Sequence, residues 1–83
     1  FGSAYPNPFN PVTMVSMSIP AEMEVHVVIY DMLGREIAEL ANGVYSTGNY
    51  ELQWDAGNQA SGIYFVKMMA GGQTNIQKLM LVK

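Results

Sequence analysis

With 83 residues, 49% apolar and only 13% charged, the chain is one small globular domain and not a disordered segment. Its net charge is −3, and its basic residues Arg35, Lys67, Lys78 and Lys83 are scattered except near the C-terminus; nucleic-acid phosphates need clustered cations, so that partner class is disfavoured. The lack of cysteine excludes disulfides and thiolate metal sites, and no apolar run approaches the ~20 residues of a transmembrane helix.

The chain opens at Phe1-Gly2-Ser3, not at Met, and shows no signal peptide, so it reads as a piece of a longer protein. Residues 1–4 read as linker or a vector-derived remnant, and residues 5–83 as the domain. "AYPNPFNPVT" (4–13) follows, with three prolines in ten residues. Each proline fixes φ near −65° and restricts the residue before it, so 5–11 should be extended and irregular. Proline also cannot donate to a sheet ladder, which protects the start of the first strand from edge pairing. Phe9 is placed to plug one end of the core. Asn7 and Asn10 can bond nearby backbone groups.

Period-two alternation dominates from there. "TMVSMSIP" places Val15, Met17 and Ile19 on one face and Met14, Ser16 and Ser18 on the other, until Pro20 stops the strand. "EVHVVIYD" sets Val25, Val27 and Ile29 against His26, Val28 and Tyr30. "YDMLGREI" is a tight reversal: Gly34 tolerates positive φ, and Asp31 can hold the turn backbone. A return strand starts at Arg35, with Ile37 as its core residue. "REIAELANG" is the one helix alternative, because Ile37 and Leu40 lie three apart and Gly43 could end a helix.

"STGNY" (46–50) and "AGNQASG" (56–62) read as loops. Between them, "YELQWD" sets Tyr50, Leu52 and Trp54 against Glu51, Gln53 and Asp55. "GIYFVKMMAG" is apolar on both faces, as a central strand is. "AGGQTN" (70–75) is a hairpin turn, and "NIQKLMLVK" closes the chain with Leu79 and Leu81 in one phase and Met80 and Val82 in the other. About seven short strands at regular spacing predict an all-β, immunoglobulin-like antiparallel sandwich. Without the immunoglobulin disulfide, Trp54 and the tyrosines must supply core volume. Such non-local pairing predicts fairly slow folding.

No residue set suggests catalysis, a metal site or a cofactor. His26 has no second His and no Cys to work with, and it lies out of phase with Val25 and Val27, so it reads as a solvent-facing strand residue. Asp31, Glu36, Glu39, Glu51 and Asp55 could supply a carboxylate pair about 5–10 Å apart, but the chain is too small for a substrate cleft around one. Asp31 and Asp55 lack calcium-loop spacing. Trp54, Tyr50 and Tyr64 could form a sugar-stacking platform, yet Trp54 and Tyr50 share the phase of Leu52 and read as core. The seven methionines fit gap-filling better than an adaptable binding surface. An end strand finished with Lys83 is either a blunted edge or a strand that a receptor pairs with.

Taken in order, "YPNPFNPVTMVSMSIP", "VHVVIYDMLGREIAEL", "GNYELQWDA", "SGIYFVKMMAGG" and "QKLMLVK" resemble the type A C-terminal sorting domains of type IX secretion substrates, across Tyr5 to Lys83. The motif residues are Pro6, Asn7, Pro8, Phe9, Asn10, Pro11, Asp31, Gly34, Arg35, Trp54, Asp55, Gly62 and Tyr64. Ala56 stands where the family usually has Gly, and Thr47-Gly48 where it often has Ala-Gly.

The resemblance implies a signal domain at the end of an exported cargo protein. The precursor passes through the periplasm, and the domain is recognised by the type IX translocon. A surface peptidase then removes it, leaving cargo released or attached at the outer surface. In the family pattern Lys78, Leu79, Leu81, Val82 and Lys83 carry the recognition. Neither membrane insertion nor a cofactor is implied. The immunoglobulin-like domain of flagellar hook-capping proteins shares several motifs, so a structural spacer is the alternative, with a carbohydrate-binding module behind it. "KLMLVK" with nothing after it fits a terminal sorting strand better than a spacer.

Overall fold

The computed structural model describes residues 2–83; Phe1 lies outside the described residues. Seven strands form, with no helix among the described residues: β1 (Gly2–Tyr5), β2 (Val12–Ile19), β3 (Met23–Asp31), β4 (Glu36–Tyr45), β5 (Gly48–Asp55), β6 (Gly62–Ala70) and β7 (Gln73–Leu81). They make two antiparallel sheets, ordered β1-β2-β5 and β4-β3-β6-β7, packed as an immunoglobulin-like sandwich.

Period-two patterning decides what faces inward. Val15, Met17 and Ile19 of β2 meet Val25, Val27 and Ile29 of β3 and Val66 and Met68 of β6, all nearly fully buried. Each such side chain stabilises the fold by about 1.5–3 kcal/mol relative to its exposed state. Val28 is a difference from the alternation. It points away from the core yet is fully buried, because β3 is an inner strand and the long side chains of Glu39 and Lys67 flank it in register.

The segment open to a helical reading is β4. Its register slips twice against β3: Val27 pairs with Ala41 but Val28 with Glu39, and Ile29 pairs with Ala38 but Tyr30 with Glu36. Leu40 and Ile37 are the residues skipped. Each bulge resets the alternation, so two apolar residues an odd number apart both pack against the core.

Turns follow local chemistry. Gly71 (φ 54°) and Gly72 (φ 83°) form the two-residue connection between β6 and β7, where both central residues need positive φ. "STGNY" is mostly strand: β5 already begins at Gly48. Residues 2–5, read from sequence as largely linker, pair with β2 from Gly2↔Met17 to Tyr5↔Met14. Gly2 sits so close to β2 that a Cβ there would lie 2.5 Å from the Ser16 carbonyl oxygen.

Candidate functional site

The residues singled out from sequence gather mainly at one end of the sandwich, around the second half of β7. Leu79 and Leu81 are 0% and 2% exposed, and β7 pairs with β6 through Tyr64↔Leu79 and Gly62↔Leu81. Their side chains belong to the core. Lys78, Met80, Val82 and Lys83 are exposed and supply what this end presents to solvent.

The outer edge of β7 is not open here. Phe9 N–H donates to Met80 O at 2.9 Å, and Val82 N–H donates to Phe9 O at 2.9 Å. Phe9 thereby forms a parallel bridge with Leu81. Asn7 Nδ2 donates to Lys78 O at 2.7 Å, and its Oδ1 accepts Met80 N–H at 3.0 Å. Asn7 therefore does bond backbone, but backbone 71 and 73 residues away and not its own turn. Strand addition along 78–82 would require this segment to leave.

The β1 edge of the opposite sheet is closed by side chains of β7. Gln77 Oε1 accepts Ala4 N–H at 2.8 Å, Gln77 Nε2 donates to Ala4 O at 3.2 Å, and Asn75 Nδ2 donates to Gly2 O at 2.9 Å. Side chains of β7 thus cap β1, while residues 7–9 cap β7. The signal for this pair was present in the sequence: Asn75 and Gln77 share the phase of Leu79 and Leu81, where a strand facing a core normally carries apolar residues.

The proline segment is irregular as expected but not extended: it bends at residues 6–8 and 10–11, Tyr5 belongs to β1, and Phe9, 2% exposed, plugs the sandwich end. Its ring lies 5.5 Å from Trp54, which lies 5.4 Å from Tyr64 in an edge-to-face arrangement. Tyr64 Oη donates to Ala60 O at 2.6 Å, the tyrosine-corner bond of immunoglobulin-like sandwiches. Tyr50 makes the same four-residue return to Ser46 O at 2.8 Å. Trp54 and Tyr64 are buried and Tyr50 half-buried, so these rings form no open sugar platform.

The remaining motif residues shape turns and ends. Pro6 O accepts from the buried Thr13 Oγ1 at 3.0 Å, and Pro11 O accepts Ala56 N–H at 2.9 Å. Pro8 and Asn10 are exposed. Asp55 Oδ1 caps Gly57 N–H at 2.9 Å, and Gly62 opens β6. Lys83 is held through its N–H on Ser61 Oγ at 3.1 Å and its Nζ on Gly57 O at 2.7 Å.

Asp31, Gly34 and Arg35 form the β3–β4 turn at the same end of the sandwich, where Asp31 pairs with Tyr64 and the turn lines a groove with Ser61 and Gly62. Asp31 Oδ1 accepts Leu33 and Arg35 N–H at 2.9 Å each, Oδ2 accepts Arg35 Nε at 2.7 Å, and Gly34 takes φ 82°. Desolvation pushes the Asp31 carboxyl up, but the Arg35 backbone, the Arg35 guanidinium and the Leu33 N–H together hold it below its ordinary value. His26 pairs with Glu39 at 2.8 Å on the exposed sheet face. Among the described residues no three His, Cys, Asp or Glu side chains gather as a metal site.

Two packed antiparallel sheets with a tyrosine corner, and a C-terminal strand locked by the opening segment, define a small immunoglobulin-like module. The family comparison is decisive about which kind. Residues 3–83 match the secretion system C-terminal sorting domain, and the chain belongs to that family, the sorting domains of type IX secretion. Such a domain is a sorting signal and not a catalytic unit, and it marks a protein exported through the outer membrane to the cell surface or beyond. No curated protein matches the chain.

Proposed function

We propose that this domain carries an N-terminal cargo to the type IX translocon, which reads the folded sandwich and the exposed groups at the end of β7. Lys78, Val82 and Lys83 meet the machinery, while Leu79 and Leu81 act from the core by fixing the strand that bears them. After passage a surface peptidase separates cargo from signal, leaving the cargo released or attached outside. The observation that carries this reading is the family match over residues 3–83. The rigid mounting of residues 78–83 supports it, since a preorganised strand presents its side chains at little entropic cost.

The test fuses residues 1–83 to the C-terminus of an exported fluorescent reporter, in a host with a type IX system and in a strain lacking the translocon. Lys78→Ala, Val82→Ser and Lys83→Ala replace exposed groups and leave the buried leucines in place. Reporter outside the cell, dependent on the translocon and reduced in these variants, is the expected result. A folded reporter retained in the periplasm of both strains would overturn the reading in favour of a spacer module.

A further inference from the structure

The charges of this chain are segregated. All seven carboxylate residues lie between Glu22 and Asp55, whereas three of the four basic residues lie between Lys67 and Lys83. Neither β6 nor β7 contains Asp or Glu. On the outer face of this strand pair the register places Ile63 beside Met80, Phe65 beside Lys78, and Lys67 beside Ile76. Apolar and basic side chains therefore lie side by side on one face of the sheet. Ile76 is 59% exposed and Met80 41%.

Edge protection does not explain this composition. Lysine blunts edge strands, but Lys67 sits on β6, an inner strand. Among the described residues the carboxylates in contact with a basic side chain are Glu39, with His26, and Asp31, with Arg35, so neither Lys67 nor Lys78 is matched by a carboxylate of its own chain. On the acidic half of the same sheet Glu39 holds His26 and Asn42, while the exposed Glu24 and Glu36 make no side-chain bond within the described residues. A second copy and a partner bringing its own carboxylates both match this face in charge, and the sorting role of the family favours the partner.

We infer that the outer face of β6–β7 docks an acidic protein surface that carries apolar side chains between its carboxylates. This rests on the sorting reading and gives the translocon-side partner its chemistry. The closed edge at 78–82 favours contact through this face over strand addition. Lysines steer approach and orientation, and Phe65, Ile76 and Met80 supply the desolvated contact.

The test uses positions outside residues 78–83. Lys67→Arg, Lys67→Gln, Lys67→Glu and Ile76→Ser are placed in the reporter fusion, with Glu51→Lys on the other sheet as control. Melting temperatures of the isolated variants confirm folding, and the graded Lys67 series keeps the test valid if the charge reversal alone disturbs Val28. Transport is expected to hold for Arg, fall for Gln, and fall about tenfold or more for Glu and for Ile76→Ser. Wild-type transport with all folded variants equal to it overturns this inference and leaves the sorting reading standing. No transport of the wild type removes the sorting reading, and the inference with it. A concentration-dependent dimer broken by Lys67→Glu would assign the face to a second copy and overturn it. So would charge-dependent sedimentation with vesicles of mixed neutral and anionic phospholipid.

Discussion

Asn7 grips Met80: its Oδ1 accepts the Met80 N–H at 3.0 Å, while its amide nitrogen reaches the neighbouring Lys78 carbonyl at 2.7 Å. One side chain thus satisfies two backbone groups on a strand edge, as a paired strand would. Asn7→Ala is expected to lose about 1 kcal/mol, since exposed hydrogen bonds are individually modest. Amide exchange at Met80 should accelerate more than at Leu79, whose N–H faces β6. Unchanged Met80 protection would show that the contact is not formed in solution.

Phe9 contributes through packing. Truncation to alanine opens a hole against Trp54 at the sandwich end and should cost about 3–5 kcal/mol, a large share of a small domain's stability. Phe9→Leu should lose less and stay folded. Urea unfolding of both variants measures this, and a loss below about 1 kcal/mol for Phe9→Ala would contradict a plug role.

Gly2 tests whether the opening residues belong to the fold. A methyl group there would press on the Ser16 carbonyl of β2, and backbone cannot rotate away as a side chain can. Gly2→Ala is expected to cost about 1–3 kcal/mol, as overpacking does. An unshifted melting temperature would mean that residues 2–5 detach from β2 in solution.

Asp31 should leave a signature in acid. Its folded pKa is lowered, so its stabilisation is complete above the unfolded value and disappears as pH falls through the folded one. The melting-temperature gap between wild type and Asp31→Asn should therefore be open at neutral pH and close below the ordinary aspartate range of about 4. A gap that persists unchanged at pH 2 would show that the turn does not depend on this carboxylate's charge.

Much of the sandwich was legible because burial imposes a period of two. Val15, Met17 and Ile19, then Val25, Val27 and Ile29, could be assigned to the core from spacing alone, and the structure buries all six. β4 resisted that reading because its two bulges give Ile37 and Leu40 a helix-like separation that only pairing with β3 explains. The proline segment was legible as irregular and as bearing the core plug, but its partner was not. Asn7 and Met80 are 73 residues apart, and local turn chemistry cannot indicate a contact at that distance. Leu79 and Leu81 were readable as one phase of a strand and also as motif positions; burial separates the side chains that hold the strand from those that face outward.

The hold of Asn7 and Phe9 on the end of β7 makes truncation a poor way to ask what the tail does. Removing residues 78–83 deletes Leu79 and Leu81 from the core and takes away every partner of Asn7 and both backbone partners of Phe9. The shortened product would expose raw β edges, an invitation to mispairing and clumping. A failed delivery by such a product would report on its solubility as much as on a missing address.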